Sequence, residues 1–275
     1  MDIIFQIFDL IFKQPITNIL LGFYQLLSSV GLPFALGFSI ILLTIFLRIV
    51  LYPFMSTQIR SSKKMQELAP EMKSIREKHK DRQKQQEMMM RLYKKHNINP
   101  AAGCLPAIIQ LPIIFALYQV ITQMVSIGSF EIFSEKVTPL LYFDFLKPDH
   151  LWDTKFFGIE LAVKPIDLLN QGAFLIILIP LLTAASQMIL SKMMMNKVAT
   201  PKTDKPDDFQ TTFMKQSLFI FPIMIGFFSF TLPTGLSLYW ITFTLFGILQ
   251  QYLLVGFGGL VQWIPQLANY ERYTK

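Results

Sequence analysis

The chain has 275 residues, 52% of them hydrophobic and 16% charged, with 26 Phe against 13 Gly and a net charge of +7. That composition excludes a polar or disordered chain, and it is far from an ordinary soluble domain, in which about 25% of residues are charged. The apolar residues gather in runs of about 20, the length that crosses a hydrocarbon layer of roughly 30 Å as a helix, so the chain reads as an all-α polytopic membrane protein.

Residues 1–31 predict two short amphipathic helices at the outer membrane interface, parted at Pro15. In the first, Gln6, Asp9 and Lys13 form a polar stripe; in the second, Ile16, Ile19, Leu20, Phe23, Leu26, Leu27 and Val30 form an apolar one. Asp2 stands where a signal peptide carries basic residues, so a cleaved leader is not expected. Spans are predicted over 32–55, 101–125, 171–190, 217–232 and 236–256. Asn99-Pro100 offers a cap to the second, and Pro233-Thr234-Gly235 forces a tight hairpin between the last two.

Charge orients these five spans. Residues 56–100 hold twelve Lys or Arg against five acids, net +7, whereas residues 126–170 hold four against seven, net −3. Residues 191–216 hold five against three and the tail at 257–275 two against one, net +2 and +1. The positive-inside rule then places the N-terminus outside and the 56–100 and 191–216 loops and the C-terminus in the cytoplasm. Within the basic loop, Met65, Leu68, Met72 and Ile75 repeat at helical spacing, and Met88 and Leu92 share a face further on. A two-helix hairpin turning near His79–Asp81 and bent near Pro70 is expected, with an apolar stripe that wants a partner. The outer segment 126–170 mixes aromatic residues with acids and prolines; it suits interfacial turns and short helices and shows no strand pattern.

Chemistry has little foothold. The lone cysteine, Cys104, permits no internal disulfide, and His79, His96 and His150 are too scattered for a metal site. Neither a phosphate-cradling GxxxxGK[ST] nor a GxSxG elbow occurs, so no nucleotide hydrolysis, cofactor or enzymatic activity is expected. The conspicuous residue is Arg48, inside the first predicted span and roughly 10 Å of helix from its cytoplasmic end. An arginine at that depth costs on the order of 2.5–3.5 kcal/mol by insertion scales. It could snorkel to the headgroups, or it could serve a hydrated groove with the other polar residues at membrane depth. These are Thr44 one turn away, Gln110, Thr183, Ser186, Gln187, and Thr242 or Thr244. No acid lies within any span. That pattern suits an external anion better than a buried ion pair. A small-anion transporter and a passive assembly scaffold remain alternatives; the missing inverted repeat weighs against the first.

Several ordered blocks carry a family resemblance: LTIFLRIVLYPF (43–54), LAPEMKSIREKHK (68–80), MMMRLYKKHNINPAAGCLPAIIQLPIIFALY (88–118) and LPTGLSLYW (232–240). From Phe23 onward the sequence resembles the YidC family of membrane protein insertases. The resemblance implies five spans around a hydrophilic groove open to the cytoplasm and to lipid. It places the groove arginine at Arg48 and substrate-contacting side chains at Gln187 and Trp240, with Tyr239 beside them; Thr44 and Gln110 complete the expected groove. It also implies that the hairpin receives clients and contacts the ribosome or Sec translocon. Lys63, Lys64, Met65, Met72, Arg76, Met88 and Arg91 are the candidate contact residues. The family's large outer domain and long basic tail have no counterpart here, so the hairpin is expected to carry more of any ribosome contact. The implied activity is insertion of nascent membrane proteins into the bilayer of the bacterial inner membrane, without sequence-specific nucleic-acid recognition.

Overall fold

A computed structural model describes residues 2–79, 81–98, 105–126, 135–148, 152–195 and 209–267. The N-terminal helices α1 (Asp2–Phe8) and α2 (Gln14–Ser29) are joined without a break by a π-helical turn over Asp9–Lys13. The break expected at Pro15 does not occur. The Gln14 N–H reaches back to the carbonyl of Asp9, and this wide turn accommodates the ring and missing donor of Pro15 that follow it. The composite helix Ile3–Ser29 is long and apolar enough to cross a membrane, which neither short helix expected from the sequence is.

The next helices are α3 (Ala35–Val50), α4 (Tyr52–Glu67), α5 (Ala69–Lys78), α6 (Arg82–Lys95) and α7 (Leu105–Ser126). Within the expected first span, 32–55, the helix breaks at Leu51 with a bend of 65°, because Pro53 in the first turn of α4 cannot donate to residue 49 and its ring would strike that carbonyl. Further along come α8 (Pro165–Asn170), α9 (Leu178–Met193), α10 (Phe209–Thr231) and α11 (Thr234–Val255). Pro112 and Pro222 sit inside α7 and α10, positions that spanning helices tolerate better than soluble ones. Asn99 to Cys104, His150, most of the 191–216 loop and the tail beyond Leu267 lie outside the described residues.

Two compact units result, one of Met1–Val50, Ile109–Gln187 and Phe219–Phe246, the other of Leu51–Ile108, Met188–Leu218 and Gly247–Lys275. In the first, α2 lies against α3. Asn18 on α2 donates to the Leu140 carbonyl at 2.8 Å and accepts from the Tyr142 N–H at 2.7 Å, and Gln25 donates to the Lys147 carbonyl at 2.9 Å. These amides fasten residues 140–147 to α2. That segment also holds a small hairpin absent from the sequence expectation, β1 (Lys155–Phe156) paired antiparallel with β2 (Ile159–Glu160). Phe157 and Gly158 turn it with φ of 49° and 82°, the left-handed pair that a two-residue hairpin needs. The Phe156 ring occupies the space where a Cβ on Gly37 of α3 would sit. Downstream of β2, the Leu161 and Val163 carbonyls accept from the Gly235 and Thr234 N–H groups, which satisfies donors left open at the start of α11.

The second unit contains the basic hairpin. Leu68, Leu92, Tyr93 and Ile98 form its buried centre, with Met65, Met72, Ile75 and Met89 packed around them. The apolar stripe therefore finds its partner in the other arm of the same hairpin.

Phe221, Ile223 and Phe227 on α10 and Leu245, Leu249 and Leu253 on α11 face outward, whereas Ser39, Thr44, Arg48, Thr183, Ser186, Ser229, Ser237 and Thr244 are buried. Large apolar side chains turned outward, with hydroxyls and an arginine buried among the apolar core, suit a protein solvated by lipid.

Candidate functional site

The helix α11 organises the polar interior of the first unit. Residues four apart on one helix lie on one face, so Tyr239 and Phe243 are stacked neighbours, with ring centroids 5.7 Å apart. Trp240 and Thr244 form the adjacent pair, and all but the half-buried Phe243 are buried. Tyr239, Phe243 and Thr244 each meet a different helix.

At the Phe243 level stands Arg48, in the last turn of α3 and 4% exposed. Its Nη2 donates to the Phe243 carbonyl at 2.7 Å, and its guanidinium carbon lies 3.5 Å from the centroid of the same residue's ring. A carbonyl inside a helix has a second lone pair, so it can accept from the arginine without giving up its helical bond. A desolvated cation–π contact contributes about 2 kcal/mol and a hydrogen bond from a charged donor about 1.5–3 kcal/mol. Together they offset an insertion cost of about 2.5–3.5 kcal/mol. The ring and the carbonyl of Phe243 thus both hold Arg48 in place. Thr44, one turn before it, gives its proton to the Ile40 carbonyl at 2.6 Å.

At the Tyr239 level, Gln110 of α7 donates to the phenolic oxygen. At the Thr244 level, Gln187 of α9 donates to the threonine hydroxyl at 2.9 Å; Thr242, the other threonine considered from sequence, bonds its own helix at Leu238. All six expected groove residues, Thr44, Arg48, Gln110, Gln187, Tyr239 and Trp240, therefore belong to this one unit. Three residues that matter here escape sequence reasoning. Phe243 is one of 26 phenylalanines and nothing marks it. Ser229 and Ser237 join Thr183 in a cluster across α9, α10 and α11: Thr183 to Ser229 is 3.1 Å, and Ser229 donates to Ser237 at 2.8 Å. Ser237 in turn donates to the Ser229 carbonyl at 3.0 Å, and Thr183 to the Ile179 carbonyl at 2.8 Å. Every proton in the cluster is placed within it.

The candidate contact residues of the hairpin divide in two. Met65 and Met72 turn inward, Met72 accepting from the Tyr93 hydroxyl at 3.7 Å. Met88 is half-buried, and the helix places Met89 rather than Met88 against Leu92. Lys63 and Lys64 are exposed, as is Arg91, which pairs with Glu87 at 2.6 Å; a solvated pair of this kind contributes about 0.3–0.5 kcal/mol. Arg76 lies on α5. Among the described residues, no group of three or more His, Cys, Asp or Glu is placed to hold a metal ion.

The family described as "60Kd inner membrane protein" matches residues 25–257. The chain is 32% identical to membrane protein insertase YidC 1 of Halalkalibacterium halodurans, over 91% of this chain and 79% of that one. It is 34% identical to membrane protein insertase MisCA of Bacillus subtilis, over 80% and 70% respectively. It is also 32% identical to the chloroplast inner membrane protein ALBINO3 of Arabidopsis thaliana, over 85% of this chain and 49% of that one. A crystal structure of an active YidC insertase shares the fold, with a TM-score of 0.52 and 24% identity over 88% of this chain and 46% of that one. The chain is a helical inner-membrane protein and belongs to the 60Kd inner membrane protein family, the family of the YidC insertases.

Proposed function

We propose that the chain inserts newly made membrane proteins into the bilayer, and that it does so by receiving the hydrophilic end of a client at Arg48. In this reading five spans, formed by α3 with the start of α4, α7, α9, α10 and α11, enclose a groove open to the cytoplasm, with the N-terminus outside and the C-terminus inside. The carrying observation is the setting of Arg48: a cation buried in the polar interior and held against the ring and the carbonyl of Phe243. A carboxylate or a carbonyl-rich tail entering beside it gains Coulombic energy in a medium of reduced dielectric. Charged residues of such a tail otherwise face about 2.5–3.5 kcal/mol each at the bilayer centre. Release into lipid is downhill, because each Leu, Ile, Phe or Val of the following segment gains roughly 0.3–0.6 kcal/mol on partitioning. The sequence holds no nucleotide-binding loop, and partitioning alone supplies the direction.

Thr44, Gln110, Gln187, Tyr239 and Trp240 line the path in this reading. On the cytoplasmic hairpin, the exposed cations Lys63, Lys64 and Arg91 are the contact points for a ribosome or a Sec translocon, while Met65 and Met72 hold the hairpin together. The test is insertion of a single-span client with an acidic translocated tail into proteoliposomes, scored by protease protection. Arg48→Ala is expected to lower insertion at least about tenfold, the effect of about 1.4 kcal/mol, and Arg48→Lys to retain part of it, because a loosely held tail needs charge more than fork geometry. Equal insertion by wild type and Arg48→Ala would refute the role of Arg48.

A further inference from the structure

The end of α9 is held from three directions. Its last carbonyls have no intrahelical donors, yet that of Met193 and that of Met194 just beyond are bonded by side chains from distant parts of the sequence. Gln66, near the end of α4, donates to the Met194 carbonyl, and Gln251 of α11 donates to the Met193 carbonyl at 3.4 Å. The third arm is the 3₁₀ turn Gly258–Gln262 that follows α11. Gly258 has φ of 53° and lies so close to Met193 that a Cβ there would strike the Met193 carbonyl. Four residues later, Gln262 accepts from the Lys192 ammonium at 2.9 Å, and the Trp263 ring lies 5.1 Å from the same nitrogen. Lys192 is only 7% exposed, an unusual state for a lysine that no step of the proposed insertion requires.

Next to these bonds lies a cavity of about 210 Å³, bordered by Ile59, Lys63, Glu67, Met195 and Val255. Packing between the base of the hairpin and the end of α9 is therefore incomplete. Directional bonds, not a filled interface, hold this place together.

We propose that Lys192, Met193 and Met194 form a three-way junction that fixes the base of the cytoplasmic hairpin to the helix carrying Gln187, with Gln66, Gln251 and Lys192 as positioning residues for insertion. The hairpin's covalent ties are its own two ends, and the first passes through the break at Leu51. Gln66 adds a tie at the end of α9, about two turns beyond Gln187. A client gathered at the hairpin is thereby kept beside the end of α9. This inference rests on the insertase reading, and its test separates the two.

Full-length protein in proteoliposomes is treated with an amine-reactive reagent, and modification of Lys192 and Lys63 is followed by mass spectrometry beside the insertion assay. In wild type, Lys192 is expected to react at least about tenfold more slowly than exposed Lys63, as a side chain reached only by local opening does. Gln66→Glu keeps the size of the side chain but cannot donate to a carbonyl. It is expected to speed Lys192 modification and lower insertion by about fivefold, the population shift given by loss of one hydrogen bond. Gln66→Arg, which restores a donor, is expected to recover most of both, so a general folding defect would be recognised. Lys192 reacting as fast as Lys63 in wild type, or undiminished insertion by Gln66→Glu, would overturn the proposal. Should wild type itself fail to insert the client, the insertase reading falls, and the labelling contrast alone decides whether the junction exists.

Discussion

Replacing Phe243 by leucine tests what secures Arg48. The guanidinium carbon is 3.5 Å from the ring centroid and the arginine is 4% exposed. The contact therefore belongs at the desolvated end of the cation–π range, about 2 kcal/mol against 0.5–1 kcal/mol at exposed sites. The hydrogen bond from Arg48 goes to the backbone carbonyl, so it survives the substitution. Loss of ring volume adds a separate cost on the order of 1 kcal/mol, which has nothing to do with charge. A double-mutant cycle with Arg48→Met removes that second cost, since the leucine cavity is present whether or not the charge is. The expected coupling is about 2 kcal/mol, or about 30-fold in the ratio of folded to unfolded protein. Steric trapping in mixed micelles measures that ratio for each of the four proteins. A coupling below about 0.5 kcal/mol would show that the ring is a bystander, and the account of how neutral groups hold this cation would fail.

Gly37→Ala puts a methyl group where the Phe156 ring lies; a loss of about 1–3 kcal/mol from overpacking is expected in the same unfolding assay, largely recovered by adding Phe156→Ala. Phe157 holds φ of 49° while 67% exposed, so Phe157→Asn should raise stability by up to about 1 kcal/mol, asparagine being at ease in this turn. No gain would mean that the contact with Phe34, at 5.0 Å, compensates for the backbone. Leu92→Ala removes a buried side chain from the centre of the hairpin, at about 2–5 kcal/mol. Proteases should then cut within 60–95 while the protein still integrates into membranes; failure to integrate would make the hairpin a folding element of the whole chain.

What could be read from the sequence follows from the scale of each signal. Lipid demands about 20 apolar residues in a row, so the membrane class and the helices Phe174–Met193 and Thr234–Val255 are legible in the sequence. A single arginine against that background is equally visible, and Arg48 lies where a polar site forms. Signals that depend on one bond are not visible. Pro53 does mark the end of α3, but the apolar run continues through it, and continuity of hydropathy hides the break at Leu51. Pro15 misleads in the opposite sense, because one π turn lets a helix continue through it. The β-hairpin has two residues in each strand, too few for alternation to register, and a phenylalanine where Asn or Gly would announce the turn. In the basic hairpin the stripe was readable, but three consecutive methionines, Met88 to Met90, leave its phase open, and the structure chooses Met89.

Polar groups along α11 differ in a way that gives the site a direction. At the Ser237 level, three hydroxyl protons have three acceptors within the cluster, so it has no need of water or of a client. Seven residues on, at the Thr244 level, Gln187 of α9 makes the bond, and an amide has more donors and acceptors than one threonine uses. Between them stands Arg48, which meets the ring and the carbonyl of Phe243. An incoming carboxylate would find nothing unsatisfied at the serines and a buried guanidinium about two turns further along α11. In the proposed reaction this contrast stops the hydrophilic tail at the level of Arg48, and it predicts that adding a charge at the hydroxyl level moves the stop. With Ser237→Lys, photo-crosslinks from the client tail should shift from the Trp240 and Gln187 levels towards Thr183 and Ser229. An unchanged crosslink pattern in a folded variant would mean that the shape of the cavity, and not its charge, sets the depth.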